Sequence, residues 1–250
     1  MDIYAFPPIA AILDAAHTGL MQLIELLEPF TGGAAAAASV LLLTLLVRTA
    51  LIPAGVSQAK AEQTRNRLAP KLRELQRRHG RDRERLQRET MKLYADEKAS
   101  PFAGCLPLLA QLPVVAVVYA LFAYPTIAGH ANALLGEQLL GVPLGTSLVA
   151  AIAGGTATTA TFAVFGALLA VIVIVAEITR RAFRPPVLQT ADASPLAGAG
   201  AARLVGALQF TTAVFALFVP LAAGLYLATT VAWTLVQRVI LRRRYPLAVE

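Results

Sequence analysis

Residues 204–237 read LVGALQFTTAVFALFVPLAAGLYLATTVAWTLVQ, with no charged side chain anywhere in the run. Arg203 stands just before it, and Arg238, Arg242, Arg243 and Arg244 follow. One long membrane-crossing helix would place these two basic groups on opposite sides of a bilayer. Basic residues close to spans are held on the cytoplasmic side. Two short helices joined near Pro220 return the chain to the side it left, so both groups stay inside. The run therefore reads as two spans, 204–219 and 221–241. Their shortness calls for local thinning of the bilayer or adjustment of tilt.

The rest of the chain follows this pattern. Of its 250 residues 57% are hydrophobic and only 15% charged, against about 25% charged in soluble domains. That composition places it among integral membrane proteins. Net charge is +7, from 22 Lys and Arg against 15 Asp and Glu. The basic residues are grouped. None occurs before Arg48, and 13 fall between residues 56 and 104 together with 7 acids. A further group is Arg180, Arg181, Arg184 and Arg203. Apolar runs between the groups give spans at 31–55, 105–125 and 162–180, each near the length of about 20 residues that a bilayer needs.

The expected fold is an all-α membrane protein with five transmembrane helices, amino end outside and carboxyl end in the cytoplasm. Residues 126–161 form an outer loop, 181–203 a cytoplasmic loop and 242–250 a cytoplasmic tail. Residues 1–30 hold an amino-terminal interfacial amphipathic helix. Its apolar face is Ile9, Leu13, Ala16, Leu20, Ile24 and Leu27, and Asp14, His17, Met21, Glu25 and Glu28 lie opposite, Met21 being the one apolar member. A sixth, poorly hydrophobic span is the alternative. No basic n-region precedes it, so a signal peptide is not expected. Residues 56–104 read as a cytoplasmic helical hairpin. Leu68, Leu72 and Leu75 mark one stripe, Leu86, Leu93 and Tyr94 another, with a turn at 79–82. Pro70 either kinks the first helix or marks its restart. Mixed charges there read first as solvated faces; binding of anionic lipids or ribosomal RNA is the sharper reading.

Catalytic and metal motifs are missing. The chain has one cysteine, Cys105, and three widely spaced histidines, His17, His79 and His130. It has no phosphate loop, no nucleophile elbow and no zinc-type spacing. No enzyme activity, cofactor or metal is expected. The informative residue is Arg48, about seven residues, or roughly 10 Å, inside its span. Burying an arginine there costs about 2.5–3.5 kcal/mol on insertion scales. Snorkelling, an ion pair with Glu177, or a hydrated cavity that uses the charge would each accommodate it. Thr44, four residues earlier, either lines such a cavity or bonds the carbonyl four back. Gln111 either offers a polar face or satisfies backbone groups beside Pro107 and Pro113.

These features resemble the YidC/Oxa/Alb family of membrane protein insertases. Residues 45–53, LLVRTALIP, look like the family's first core span with its arginine. Residues 70–76, PKLRELQ, and 86–94, LQRETMKLY, look like its cytoplasmic hairpin. Residues 100–113, SPFAGCLPLLAQLP, are similar to its most specific motif, and 219–227, VPLAAGLYL, resemble the opening of its last span. The chain departs from the family pattern in having Leu227-Ala228-Thr229-Thr230 where a Tyr-Trp pair often follows the last glycine. Trp233 comes later and reads as an interfacial or packing residue.

The resemblance implies a five-helix core with a groove open to cytoplasm and lipid and closed outside, with Arg48 facing the groove. It implies a membrane protein insertase and chaperone of a bacterial plasma membrane. Nascent membrane proteins and anionic lipids are the expected partners, a Sec-type translocon and the ribosome further candidates. No sequence-specific nucleic-acid binding is expected. Arg48, Thr44 and Gln111 are the candidate groove residues. The rival readings are a partner-dependent assembly scaffold and, with less support, a channel or transporter, which would place ionisable groups on several spans.

Overall fold

The computed structural model describes residues 7–100, 106–127, 129–183, 207 and 210–246. It is predominantly helical. In chain order the helices are α1 (Pro7–Thr31), α2 (Ala35–Ala50), α3 (Ile52–His79), α4 (Arg83–Asp96), α5 (Leu106–Ala123), α6 (Leu148–Ala153), α7 (Thr159–Ala182), α8 (Thr211–Ala216) and α9 (Leu221–Arg244). Among the described residues three stretches are long and apolar enough to cross a membrane: Ala10–Ala50, which joins α1 and α2, then α7 and α9. Helix α5 has 18 residues and no charged side chain. Residues 204–206, 208 and 209 of the expected span at 204–219 lie outside the described residues; α8 covers Thr211–Ala216 of the rest, and the break that ends the span is present. Pro220 is extended, at φ −53° and ψ 151°, between α8 and α9.

Helix α1 places its apolar face differently from the sequence expectation. Leu13, Leu20 and Ile24 are buried, and Ala16 and Leu27 pack beside them. Their neighbours are protein: α1 packs along α2 and touches α5. Gly32, at φ +52°, makes the break after α1, in a conformation that glycine adopts without steric cost. The small residues Ala35, Ala36 and Ala37 of α2 are buried there, as is usual where helices approach closely. The face that the sequence offered to lipid is thus covered by the protein's own helices.

The expected first span, 31–55, is not one continuous helix. Helix α2 stops at Ala50 and α3 starts at Ile52, inside the apolar run assigned to 31–55. Pro53 sets that start, because it has no N–H and is tolerated in a helix's first turn. Helix α3 then runs through Pro70 without a restart. Asp82 caps α4, accepting from the Arg85 amide at 3.0 Å. The two helices are tied where α4 ends: Glu97 accepts from Arg67 at 3.3 Å and from Lys71. Those two cations, Lys71 foremost, hold the Glu97 carboxyl below its ordinary pKa.

The expectation of a purely helical chain needs one correction. The loop after α5 contains two small antiparallel hairpins. Strand β1 (Thr126–Ile127) pairs with β2 (His130–Ala131), and β3 (Gln138–Leu139) with β4 (Val142–Pro143). Leu140 and Gly141, at φ +52° and +81°, form the two-residue turn of the second, as tight hairpins require. Helix α6 follows, capped by Ser147. Side chains of this loop, Leu134, Val142 and Leu144, are buried in the same core as Val40, Phe165 and Leu221.

Helices α7 and α9 meet at Gly224, where an added Cβ would lie 2.7 Å from Leu168 Cδ2. Leu168 can rotate for a methyl group, so Gly224→Ala should be tolerated. Gly224→Leu should force the helices apart and lower the thermal midpoint of the detergent-solubilised protein by several degrees, a cost of about 1–3 kcal/mol. Equal midpoints for wild type and Gly224→Leu would show that the two helices do not pack at this residue.

Candidate functional site

Arg48 lies in the last turn of α2, half-buried, three residues before the joint at Leu51. Among the described residues it makes no ion pair. Glu177 is committed elsewhere: it accepts from Arg180 Nε at 2.7 Å and from Arg181 Nε at 2.5 Å. Pairing of Arg48 with Glu177 is thereby removed from the three options. Thr44 sits one turn earlier, fully buried, and its hydroxyl donates to the Val40 carbonyl at 2.7 Å. Gln111 belongs to α5, and its side chain lies outside the described residues.

The loop between α5 and α7 is tied to the start of α9. The first amides of a helix have no partner within it, and Pro220 has no amide at all. Leu221 N–H donates to the Thr146 carbonyl and Ala222 N–H to the Leu144 carbonyl, both at 2.9 Å. Val149 N–H donates to the Leu217 carbonyl at 3.2 Å. Asn132, 5% exposed, performs the matching task at the end of α5, donating to the carbonyls of Leu121 at 2.8 Å and Tyr124 at 2.9 Å. The loop therefore closes over helix ends whose polar groups would otherwise be unsatisfied.

The opposite end carries a charged junction that sequence reasoning did not assemble. Glu62 of α3 lies 3.6 Å from Arg238 and 3.4 Å from Arg242 of α9. Both guanidinium groups face the buried Phe183 ring that follows α7, at 5.0 and 4.7 Å from its centroid. Such stacking is worth roughly 0.5–2 kcal/mol per pair. Gln237, which accepts from Trp233 Nε1 at 3.2 Å, presses so closely on Gly55 that a Cβ there would meet its amide nitrogen at 1.9 Å. A cavity of about 180 Å³ lies between these faces of α3 and α9. The signal available in sequence was the i, i+4 spacing of Arg238 and Arg242. Their shared acid lies 180 residues away and has no local signature. A second cavity of about 260 Å³, lined mainly by apolar residues such as Ile172, Val175, Val231 and Leu235, opens between α7 and α9.

Among the described residues no cluster of three or more His, Cys, Asp or Glu could hold a metal. The family model described as 60Kd inner membrane protein matches residues 26–248. The chain belongs to that family. Among curated proteins it is 33% identical over 115 residues to a protein of Clostridium perfringens named membrane protein insertase YidC, covering 46% of this chain and 48% of that one. An Oceanobacillus iheyensis protein of the same name is 36% identical over 97 residues, 37% of this chain and 38% of that one. One from Histophilus somni is 40% identical over 88 residues, 35% of this chain and 16% of that one. The matched part thus spans about half or less of the length of each of these relatives. Family and apolar helices together make this a multi-pass protein of the inner membrane.

Glu62→Gln should weaken the junction of α3 with α9. The ion pairs are half-exposed, so the cost is under about 1 kcal/mol, and the global midpoint should barely move. Amide hydrogen exchange in the third and fourth turns of α3, around Glu62, should rise severalfold. Unchanged exchange there would mean that Glu62 does not hold these helices together.

Proposed function

We propose that this protein inserts newly made membrane proteins into the bilayer and helps them fold. Membership of the family over residues 26–248 carries the reading, and the names of the relatives agree with it. The mechanism rests on Arg48, a half-buried cation on an apolar helix with no ion pair among the described residues. An arginine in that setting is costly, and a hydrated recess open to cytoplasm and lipid would relieve the cost. Such a recess shortens the dry path that a substrate's polar flank must cross. Arg48 would attract acidic residues on that flank, since charges interact more strongly where the dielectric is low. The substrate's apolar segment would then leave sideways into lipid, which it prefers. Buried Thr44 fixes the turn that presents Arg48, and Gln111 of α5 is assigned to the same recess. No step needs a nucleotide or a covalent intermediate.

The topology proposed with it has five spans. The hairpin of α3 and α4 and the carboxyl end lie in the cytoplasm, and the β-containing loop and amino end lie outside. All three basic groups are then inside. Nascent membrane proteins are the proposed substrates, with a Sec-type channel and the ribosome as the proposed co-workers in the cell.

The deciding experiment is reconstitution of the purified protein alone in liposomes. A small single-span substrate with an acidic amino-terminal flank is added and protease protection is scored. Wild type should insert it, Arg48→Ala should lose most of that activity, and Arg48→Lys should keep part. Equal activity in all three removes the charge from the mechanism. No insertion by folded wild type overturns autonomous insertion.

Topology is checked by labelling single cysteines in a Cys105→Ser background. Glycines 80 and 145 are poor positions, because a Cβ would meet the Gln76 carbonyl at 2.6 Å and Leu135 at 2.8 Å. Arg81→Cys should react only from the cytoplasmic side and Glu137→Cys only from outside. The reverse pattern would sink the five-span arrangement.

A further inference from the structure

At the end of the α3–α4 pair nearest α2, a cavity of about 430 Å³ is lined by Lys60, Arg65, Arg67 and Lys98 against a single acid, Glu97. That acid is already shared between Arg67 and Lys71. Among the described residues neither Arg65 nor Lys98 has an anionic partner. Thr64 adds a hydroxyl to the wall. The cavity therefore has more positive charge than its own acid can balance, concentrated in a concave space.

Lys98 gives the independent observation. It sits just past α4 at φ +48°. Its amide donates to the Ala95 carbonyl at 3.0 Å, and the Ala99 amide donates to the Tyr94 carbonyl at 2.9 Å. This is the capping arrangement that ends a helix with a left-handed residue, a position that glycine fills at no steric cost. A lysine there is a strained choice, by about 1–2 kcal/mol. Nothing in the packing requires it, since Lys98 is exposed. What it adds is an ammonium group on the wall of a basic cavity. Residues kept in such conformations cluster at ligand-binding sites.

We propose that this cavity binds one phosphate group of an anionic lipid headgroup. Several features favour that ligand. The volume suits a single headgroup. The lining starts at Ser57, six residues beyond the joint that ends apolar α2, or roughly 9 Å along α3, where headgroups are within reach. The hydroxyl and cationic donors match phosphate oxygens. A stretch of RNA would need an extended basic track, whereas the outer faces of α3 and α4 mix both signs, as in the Arg78–Glu74 and Arg88–Glu84 pairs. The site does not depend on the insertase reading; a lipid bound here would anchor the base of the helix pair at the bilayer surface.

The test uses the full-length protein in neutral detergent, with binding of short-chain phosphatidylglycerol and phosphatidylcholine read by native mass spectrometry. Wild type should prefer phosphatidylglycerol, and the preference should fall with added salt. Lys98→Gly should bind it about five-fold more weakly, as should Arg65→Gln, from the loss of one cation near a lipid phosphate. Because glycine suits the left-handed position, Lys98→Gly should melt no lower than wild type, which separates lost binding from lost fold. Arg81→Gln, in the turn at the far end of the pair, should bind as wild type does. Displacement of the lipid by millimolar inorganic phosphate would show that the phosphate alone is recognised. Resistance to displacement, with the variant effects intact, would show that the lipid's chains hold it there. The site is overturned if all variants bind equally, if Arg81→Gln loses as much as Lys98→Gly, if phosphatidylcholine binds as well, or if an RNA oligonucleotide is preferred over the lipid.

Discussion

A backbone amide or carbonyl left unpaired in lipid costs several kcal/mol, and that constraint arranges this chain. It makes the apolar runs helical and puts the burden on the places where helices stop. The break at Pro220 is the clearest case. Proline ends one helix, removes one amide, and leaves the amides of Leu221 and Ala222 without helical partners. The carbonyls of Thr146 and Leu144 accept from them. The loop between α5 and α7 is thus positioned by the first turn of α9. Asn132 then fixes the same loop to the end of α5. One proline and one asparagine together fix the loop to the ends of two helices.

Helix junctions on the other side are handled with charge instead. Arg238 and Arg242 extend from the last turns of α9, where cations complement the helix dipole. Glu62 and the Phe183 ring gather them, so that α3, the end of α7 and α9 meet at one point. Each contact is weak, because each is partly exposed. The junction couples the base of the α3–α4 pair to the apolar helices without locking it. Several half-exposed contacts separate at lower cost than one buried ion pair, whose rupture costs about 3–5 kcal/mol.

The sequence made the helical class and the positions of most helices readable, because apolar runs and basic clusters are local signals. The break at Pro220, the turn before α4 and the end of α7 all follow from them. What failed was long-range or rested on glycine geometry. The amphipathic face of α1 was visible, but an apolar face looks the same whether lipid or a neighbouring helix covers it. Gly32 marked the break without saying that α1 would pack along α2. The hairpin at Leu140-Gly141 carries a leucine where turn rules ask for Asn, Asp or Gly, so nothing flagged it. Of the two readings of Thr44, its bond to the carbonyl four residues back is the one present, to Val40 at 2.7 Å, and that i, i−4 spacing is a local signal.

Arg48 differs from Arg180, Arg181, Arg238 and Arg242 in one respect. Arg180 and Arg181 share Glu177, and Arg238 and Arg242 share Glu62. Each of these acids lies within reach of two cations, so the chain has the means to neutralise arginines near its apolar helices. For Arg48 no such acid is found among the described residues, although a single Asp or Glu four residues away would have provided one. Had stability been the only demand, the cheaper solution was a leucine, like its neighbours Leu45, Leu46 and Leu51. An arginine without a counter-ion in that run leaves a positive potential that a visiting anion can satisfy. On the proposed function that anion would be the acidic flank of a crossing chain, which would leave once the crossing is done, as a built-in glutamate would not.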